Sequence, residues 1–138
     1  MRHVVLALAV SFVGLPAAAP AQPAPKAVSA WVAAPAAGAD AAVAYVAIEN
    51  PTMYDIYITA ASTDAAGTVE LRAGATGGGE PAVVTEFTVP AYGSTAAEQA
   101  APHLRLVQLK RPLAAGDTVQ LTLTTDGGVT LTVAAPVK

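Results

Sequence analysis

Alternating apolar and polar residues recur along the chain from residue 28 to residue 134. The clearest case is the run 118–124, Thr-Val-Gln-Leu-Thr-Leu-Thr, in which every second side chain is aliphatic. This alternation is typical of antiparallel sheets with one face buried and the other in water. It predicts eight or nine short strands and no amphipathic helix, with strands at residues 28–33, 42–50, 55–62, 68–72, 83–89, 94–99, 103–109, 118–125 and 129–134.

Turn-forming residues separate these strands and support the same fold class. Asn50-Pro51 ends one strand, because proline donates no hydrogen bond and disfavours helix in the residue before it. Pro112 and Gly116-Asp117 mark a turn between two others. Asp126-Gly127-Gly128 predicts a hairpin whose type I′ turn needs positive φ values. Short strands at such spacing predict an all-β protein, an antiparallel Greek-key β-sandwich.

The N-terminus has the features of a secretory signal. Arg2 and His3 precede an apolar run at residues 4–15, which is too short to span a bilayer, and Ala19-Pro20-Ala21 offers small residues for cleavage. We therefore expect a signal peptide at 1–21. A proline-rich linker at 22–26 and a folded domain at 27–138 follow, and the mature form should not enter a membrane.

Composition excludes several functions. Hydrophobic residues make up 54% of the 138 residues but aromatic residues only 5%, which predicts a thin core of small side chains. A net charge of −3 argues against nucleic-acid binding. The sequence has no cysteine, which excludes disulfides and thiolate chemistry. The glycine run at 77–79 lacks the Lys and Ser/Thr of a phosphate loop, and no nucleophile motif is present, so we expect no enzyme activity.

Five segments in order then resemble a known family: Ala30-Trp31-Val32, residues 44–50 (Ala-Tyr-Val-Ala-Ile-Glu-Asn), Thr68-Val69-Glu70-Leu71, Val89-Pro90-Ala91, and the stretch from His103 through Pro112 to Val119. Together they resemble the periplasmic copper chaperone family called PCu(A)C. The resemblance implies a sandwich of cupredoxin-like or immunoglobulin-like type and export to the periplasm. It also implies transfer of Cu(I) toward a cytochrome oxidase, through an oxidase assembly protein or an oxidase subunit.

The resemblance also implies a ligand set of histidine and methionine, which this chain carries only in part. One family histidine follows the Val-Glu-Leu strand, and here that position is Arg72. Methionines are expected in the next loop, but residues 73–84 contain none. The family's later His-x-Met pair is represented by His103 and Arg105. His103 is therefore the one candidate metal ligand, and Arg72 and Arg105 occupy two degenerate ligand positions.

Arginine cannot replace a soft metal ligand. Cu(I) prefers thioether and imidazole donors, whereas guanidinium stays protonated and has no acceptor lone pair. A fixed positive charge about 4 Å from a monocation would cost on the order of 4 kcal/mol before screening. We therefore expect copper(I) binding to be weak or absent.

Alternatives remain open for each residue and for the function. His103 is either a ligand or, as we favour, a surface residue of its strand, on the same face as Arg105 and opposite the core residues Leu104 and Leu106. Met53 is a turn methionine that serves as loop filler or as a soft ligand. The two arginines bind an anion or pair with a carboxylate of Glu70, Glu86 or Glu98. The chain handles copper, or it is a metal-independent module that uses the same sandwich to bind a protein partner or an anion.

Overall fold

The computed structural model describes Ser11, Val13, Gly14 and residues 23–74 and 80–138. These residues form ten β-strands: β1 (Lys26–Ala33), β2 (Ala42–Glu49), β3 (Ile56–Thr63), β4 (Ala66–Arg72), β5 (Val83–Val84), β6 (Phe87–Val89), β7 (Ser94–Thr95), β8 (His103–Leu109), β9 (Thr118–Thr125) and β10 (Thr130–Pro136). This part of the chain contains no helix, and so none long and apolar enough to cross a membrane. The predicted all-β class is confirmed.

Two predicted segments cannot be compared with the structure. The signal peptide predicted at 1–21 lies almost entirely outside the described residues, as do residues 75–79 of the glycine-rich loop. The domain predicted to begin at residue 27 has its first strand beginning one residue earlier, at Lys26.

The strands form two sheets that pack into a sandwich. Sheet A has the order β1-β2-β8-β4-β5, with β7 paired to β2, and sheet B has the order β10-β9-β3-β6. Neighbours such as β2 and β8 are distant in sequence, as in the predicted Greek-key arrangement. Along one side the sheets meet where Val32 pairs with Val137, and the amide of Lys138 donates to the carbonyl of Val32 at 2.9 Å.

The core lies between the inner faces of the two sheets. Leu104 and Leu106 of β8 are at most 1% exposed, and Leu121 and Leu123 of β9 face them from sheet B without exposure. The cluster also contains six alanines and five valines, in line with the small side chains that the composition predicted. The alternation therefore assigned the inward side correctly, because burial of every second side chain fixes the register of a strand.

Two strand predictions were wrong in extent. The strand predicted at 83–89 divides into β5, which pairs with β4 in sheet A, and β6, which pairs with β3 in sheet B. The strand predicted at 94–99 shortens to Ser94–Thr95, because β7 pairs only with residues 48 and 49 of β2, beyond the part of that strand bonded to β8. The remaining residues, 96–102, form a loop.

The hairpin between β9 and β10 is also not of the predicted type. A type I′ turn needs two residues with positive φ, but of Asp126, Gly127 and Gly128 only Gly128 has one, at 79°. The amide of Gly128 donates to the carbonyl of Thr125 at 3.0 Å, which closes a three-residue loop. Such loops combine a type I turn with a glycine in the left-handed region.

A buried asparagine joins two loops at one end of the sandwich. Asn50 is 1% exposed, and its side-chain amide donates to the carbonyls of Tyr54 (2.8 Å), Val89 (3.1 Å) and Pro90 (3.2 Å). Its side-chain oxygen accepts from the amide and hydroxyl of Thr52. One side chain therefore satisfies backbone groups of both the β2–β3 loop and the segment that follows β6.

We predict that Asn50→Ala lowers the free energy of unfolding by about 2–4 kcal/mol, because buried carbonyls lose their donor. Urea unfolding followed by circular dichroism measures this. Gln120→Ala, on the exposed side of β9, is the matched control and should change stability by less than about 0.5 kcal/mol. Equal stability of the two variants would contradict the role given to Asn50.

Candidate metal-site region on the outer face of sheet A

The structure brings the three predicted site residues together. β4 and β8 are antiparallel neighbours in which Arg72 pairs with His103 and Glu70 pairs with Arg105. Side chains opposite one another in such a pair lie about 5 Å apart at Cβ, and alternate residues share a face. Arg72, His103 and Arg105 accordingly line one cavity of about 140 Å³ on the outer face of sheet A, together with Val43, Glu80 and Pro81.

Arg72 is held firmly in this cavity wall. Its guanidinium donates to one carboxylate oxygen of Glu70 from two nitrogens, at 3.1 Å from Nε and more closely from Nη2. Its Nη1 donates to the carbonyl of Pro81 at 2.8 Å. Only 12% of the side chain is exposed. Of the carboxylates considered as partners from the sequence, Glu70 is confirmed for Arg72.

Arg105 is held more loosely. Its Nη1 lies 3.8 Å from a carboxylate oxygen of Glu80, whose side chain is 83% exposed. Because an ion pair so exposed to water contributes at most about 1 kcal/mol to stability, the Arg105 side chain keeps some conformational freedom. Glu80 was not among the partners expected from the sequence. It follows the glycine-rich loop and comes near Arg105 only because β5 folds back beside β4.

His103 has a defined orientation. Its Nδ1 lies 3.0 Å from the carbonyl of Ala101. Because a carbonyl only accepts, Nδ1 must carry the proton, and in the neutral ring Nε2 keeps its lone pair. The ring also packs beside Tyr45, with centroids 5.4 Å apart, and Tyr45 in turn packs beside Trp31 at 4.5 Å. An imidazole whose other nitrogen donates to a carbonyl is oriented in the way that metal-ligating histidines usually are.

The expectation that His103 is a surface residue is wrong, since it is only 5% exposed. It does lie on the outer face of its strand, as the alternation predicted, but residues 96–102 cover that face. This covering loop is anchored where the indole Nε1 of Trp31 donates to Ala97 at 3.0 Å and where His103 donates to Ala101. It also passes so close to Gly74 that a Cβ there would overlap the carbonyl oxygen of Ala100.

The cavity offers a soft metal ion one donor. Within the described residues no group of three or more His, Cys, Asp or Glu side chains is placed to hold a metal. Met53, the other soft side chain considered from the sequence, lies in the β2–β3 loop and is 62% exposed. It does not line the cavity. The arrangement can therefore supply one imidazole nitrogen, flanked by two guanidinium groups that two carboxylates partly neutralise.

Comparison with known families and structures identifies the domain. Residues 26–137 match the family model LpqE-like, described as "Putative lipoprotein LpqE-like". The chain belongs to the LpqE-like family. No curated protein sequence matches it.

Solved structures similar to this LpqE-like chain are PCuAC domains and a copper-bound protein of Deinococcus radiodurans. The Cu(I)-bound solution structure of DR1885 is 36% identical, with 86% of this chain and 81% of that one covered and a TM-score of 0.69. The copper-bound PCuAC domain of PmoF2 is 18% identical, with 83% and 92% covered and a TM-score of 0.71. The apo PCuAC domain of PmoF1 is 19% identical, with the same coverage and a TM-score of 0.70. The family resemblance found in the sequence is confirmed: the domain is of the PCuAC type.

We predict that Gly74→Ala displaces the covering loop, because the new methyl group meets the backbone of Ala100. Trp31, the chain's one tryptophan, loses its Ala97 partner and should show a red-shifted emission and stronger acrylamide quenching. The free energy of unfolding should fall by about 1–3 kcal/mol.

Gly127→Ala is the control, since a Cβ there has its nearest neighbour at 4.0 Å and the residue lies in a distant hairpin. Unchanged Trp31 emission in Gly74→Ala would show that residues 96–102 do not depend on this contact.

Proposed function

We propose that this chain is an exported domain of the copper-chaperone type whose metal cavity has lost most of its soft ligands, so that it holds Cu(I) weakly through His103. The observation that carries the proposal is the convergence of Arg72, His103 and Arg105 on one cavity of a PCuAC-type fold. Copper-bound structures of similar domains support copper as the cargo.

The chemistry of the cavity supports weak binding. Nε2 of His103 is a good Cu(I) donor, but one imidazole provides one bond. The Arg72 side chain cannot move out of the cavity without losing its hydrogen bonds to Glu70 and to the carbonyl of Pro81. Its charge therefore stays beside the place where the monocation would bind, and Glu70 and Glu80 offset that charge only in part.

Delivery of copper toward a cytochrome oxidase, through an assembly protein or an oxidase subunit, belongs to this proposal. So does periplasmic localisation after removal of a signal peptide at 1–21, with the folded domain at 27–138. The match to a family described as lipoproteins supports export. A chaperone of this kind transfers its cargo and catalyses no reaction, which fits the lack of a nucleophile motif in the sequence.

A metal-independent binding module is the second candidate. The observation that favours it is the pairing of both arginines with carboxylates, Arg72 with Glu70 and Arg105 with Glu80. These pairs offset part of the positive charge of the cavity and hold its side chains in place without a metal. The same pairs weaken the case for an anion, since Arg72 already uses three of its five N–H donors within the protein. A protein partner is then the better occupant of this face.

We predict that the purified exported protein binds Cu(I) with a micromolar or weaker dissociation constant in competition with a chelating probe. Arg72→His with Arg105→Met should tighten binding at least tenfold, about 1.4 kcal/mol, because it adds an imidazole and a thioether and removes two charges. His103→Ala should remove the residual binding.

Arg111→Met is the matched control, because it removes a charge and adds a thioether outside the cavity. Nanomolar binding by the parent monomer would refute the loss of ligands. An Arg72→His, Arg105→Met variant that binds no better than the parent would show that the site lies elsewhere. Complete absence of binding in the parent would favour the metal-independent module.

A further inference from the structure

An open groove lies at the end of the sandwich where Asn50 joins the loops. It has a volume of about 380 Å³, we call it the tyrosine groove, and its walls are Pro23, Pro51, Thr52, Met53, Tyr54 and Tyr92. The three large side chains are exposed, Met53 to 62%, Tyr54 to 71% and Tyr92 to 73%. Tyrosine and methionine are enriched where proteins bind one another, so their exposure together in one groove indicates an interaction surface.

The two loops that form the groove hold each other in place. The amide of Tyr92 donates to the carbonyl of Thr52 at 3.0 Å, and the amide of Ala91 donates to Oδ1 of Asp55 at 2.9 Å. Tyr92 has a φ of 54°, a left-handed conformation that costs a non-glycine residue about 1–3 kcal/mol. The groove is therefore preorganised, and a segment that binds it does not have to order these loops.

A second depression adjoins the groove and adds a charged group to it. Pro51 and Tyr92 line both hollows, and the second, of about 310 Å³, is also lined by Glu49. Nζ of Lys26 lies 3.8 Å from a carboxylate oxygen of Glu49, but the two side chains are 68% and 53% exposed. An ion pair so exposed contributes at most about 1 kcal/mol, so Glu49 remains able to pair with a cation of a ligand.

The loops around the groove favour a positively charged ligand. The β9–β10 hairpin joins the two groove loops at this end, because the amide of Asp126 donates to the carbonyl of Tyr57 at 2.9 Å. Residues 50–55, 90–93 and 126–129 include Asp55 and Asp126 but no lysine or arginine. Together with Glu49, these carboxylates are complementary to a basic segment and repel an acidic one.

We propose that the tyrosine groove and the adjoining depression bind an extended, proline-rich segment of a partner protein that carries lysine or arginine. Exposed tyrosine rings beside proline form the kind of surface to which such segments bind, and their preformed conformation limits the loss of entropy. Glu49 pairs with the basic residue of the segment and fixes its direction.

This docking surface is separate from the His103 cavity, with which it shares no lining residue. Along β2, Glu49 is six residues from Val43 of that cavity, a separation of about 20 Å. A partner bound at the groove is therefore held on the same domain while the cavity stays open. The proposal does not depend on whether the cavity binds copper.

Fluorescence anisotropy of the purified exported protein with a labelled peptide tests this proposal. The probe is a fluorescein-labelled peptide of Pro-Pro-Leu repeats with arginine at both ends, and we expect saturable binding. Tyr54→Ser with Tyr92→Asn should weaken binding at least tenfold, and asparagine retains the left-handed backbone of residue 92. Glu49→Gln should weaken it by about two- to fivefold, and only for the arginine peptide.

The control variant is Val83→Ser, which removes an exposed aliphatic side chain of β5 outside the groove and should leave binding unchanged. A peptide with glycine and serine in place of proline, or with glutamate in place of arginine, should bind at least tenfold more weakly. Trp31 emission verifies that each variant is folded.

Three results would overturn the proposal. The first is no saturable binding of the arginine peptide, or equal binding by the parent and the tyrosine variant. The second is self-association of the parent in sedimentation that the tyrosine variant lacks, because a second copy would then occupy the groove. The third is binding of the parent, but not of the tyrosine variant, to phosphatidylglycerol vesicles, because the groove would then face a lipid surface.

Discussion

The contact of residues 96–102 with the outer face of sheet A is the constraint on which the rest of the site depends. Three points attach this covering loop: Ala97 accepts from Trp31, Ala101 accepts from His103, and Ala100 lies against Gly74. Without it, His103 would be an ordinary outward-facing residue of its strand. With it, His103 is 5% exposed and its imidazole is oriented.

A site for a soft metal ion needs both an oriented donor and enough soft donors to bind tightly. His103 is the oriented donor, because its Nδ1 donates to the carbonyl of Ala101 and its Nε2 keeps a lone pair that could bind a metal ion. Sulfur and a second imidazole would supply affinity for a soft ion, but the other two charged side chains that line the cavity beside His103 on β4 and β8 are Arg72 and Arg105. In the structure, the electrostatics of this cavity depend on the pairing of Arg72 with Glu70 and of Arg105 with Glu80.

Much of the fold could be predicted from the sequence. Alternation placed Leu104 and Leu106 inward, and it placed His103 and Arg105 on one face. These are local properties of single strands. The covering loop was not predictable in this way, because Ala-Ala-Glu-Gln-Ala-Ala-Pro carries no periodic signal and its attachment to the sheet depends on a tryptophan 66 positions away. The exposure of His103 was mispredicted for that reason.

The other features that the sequence did not predict also arise from tertiary contacts. Glu80 reaches Arg105 only through the pairing of β4 with β5, and the left-handed backbone of Tyr92 is imposed by its bond to Thr52. A proline-rich linker was expected from composition, but its neighbours Tyr54 and Tyr92 come from two loops far apart in sequence. Short apolar runs gave no sign that residues 83–89 would divide between two sheets.

The central claim is that one oriented imidazole is the only soft donor that the described residues place in this cavity. The ¹⁵N spectrum of the neutral histidine tests it most directly, since the sequence holds only two histidines, His3 and His103, and a His103→Ala sample assigns the signal. We predict a tautomer with the proton on Nδ1, and on addition of Cu(I) a shift of Nε2 in fast exchange. A proton on Nε2, or a slowly exchanging Cu(I) complex, would contradict the claim.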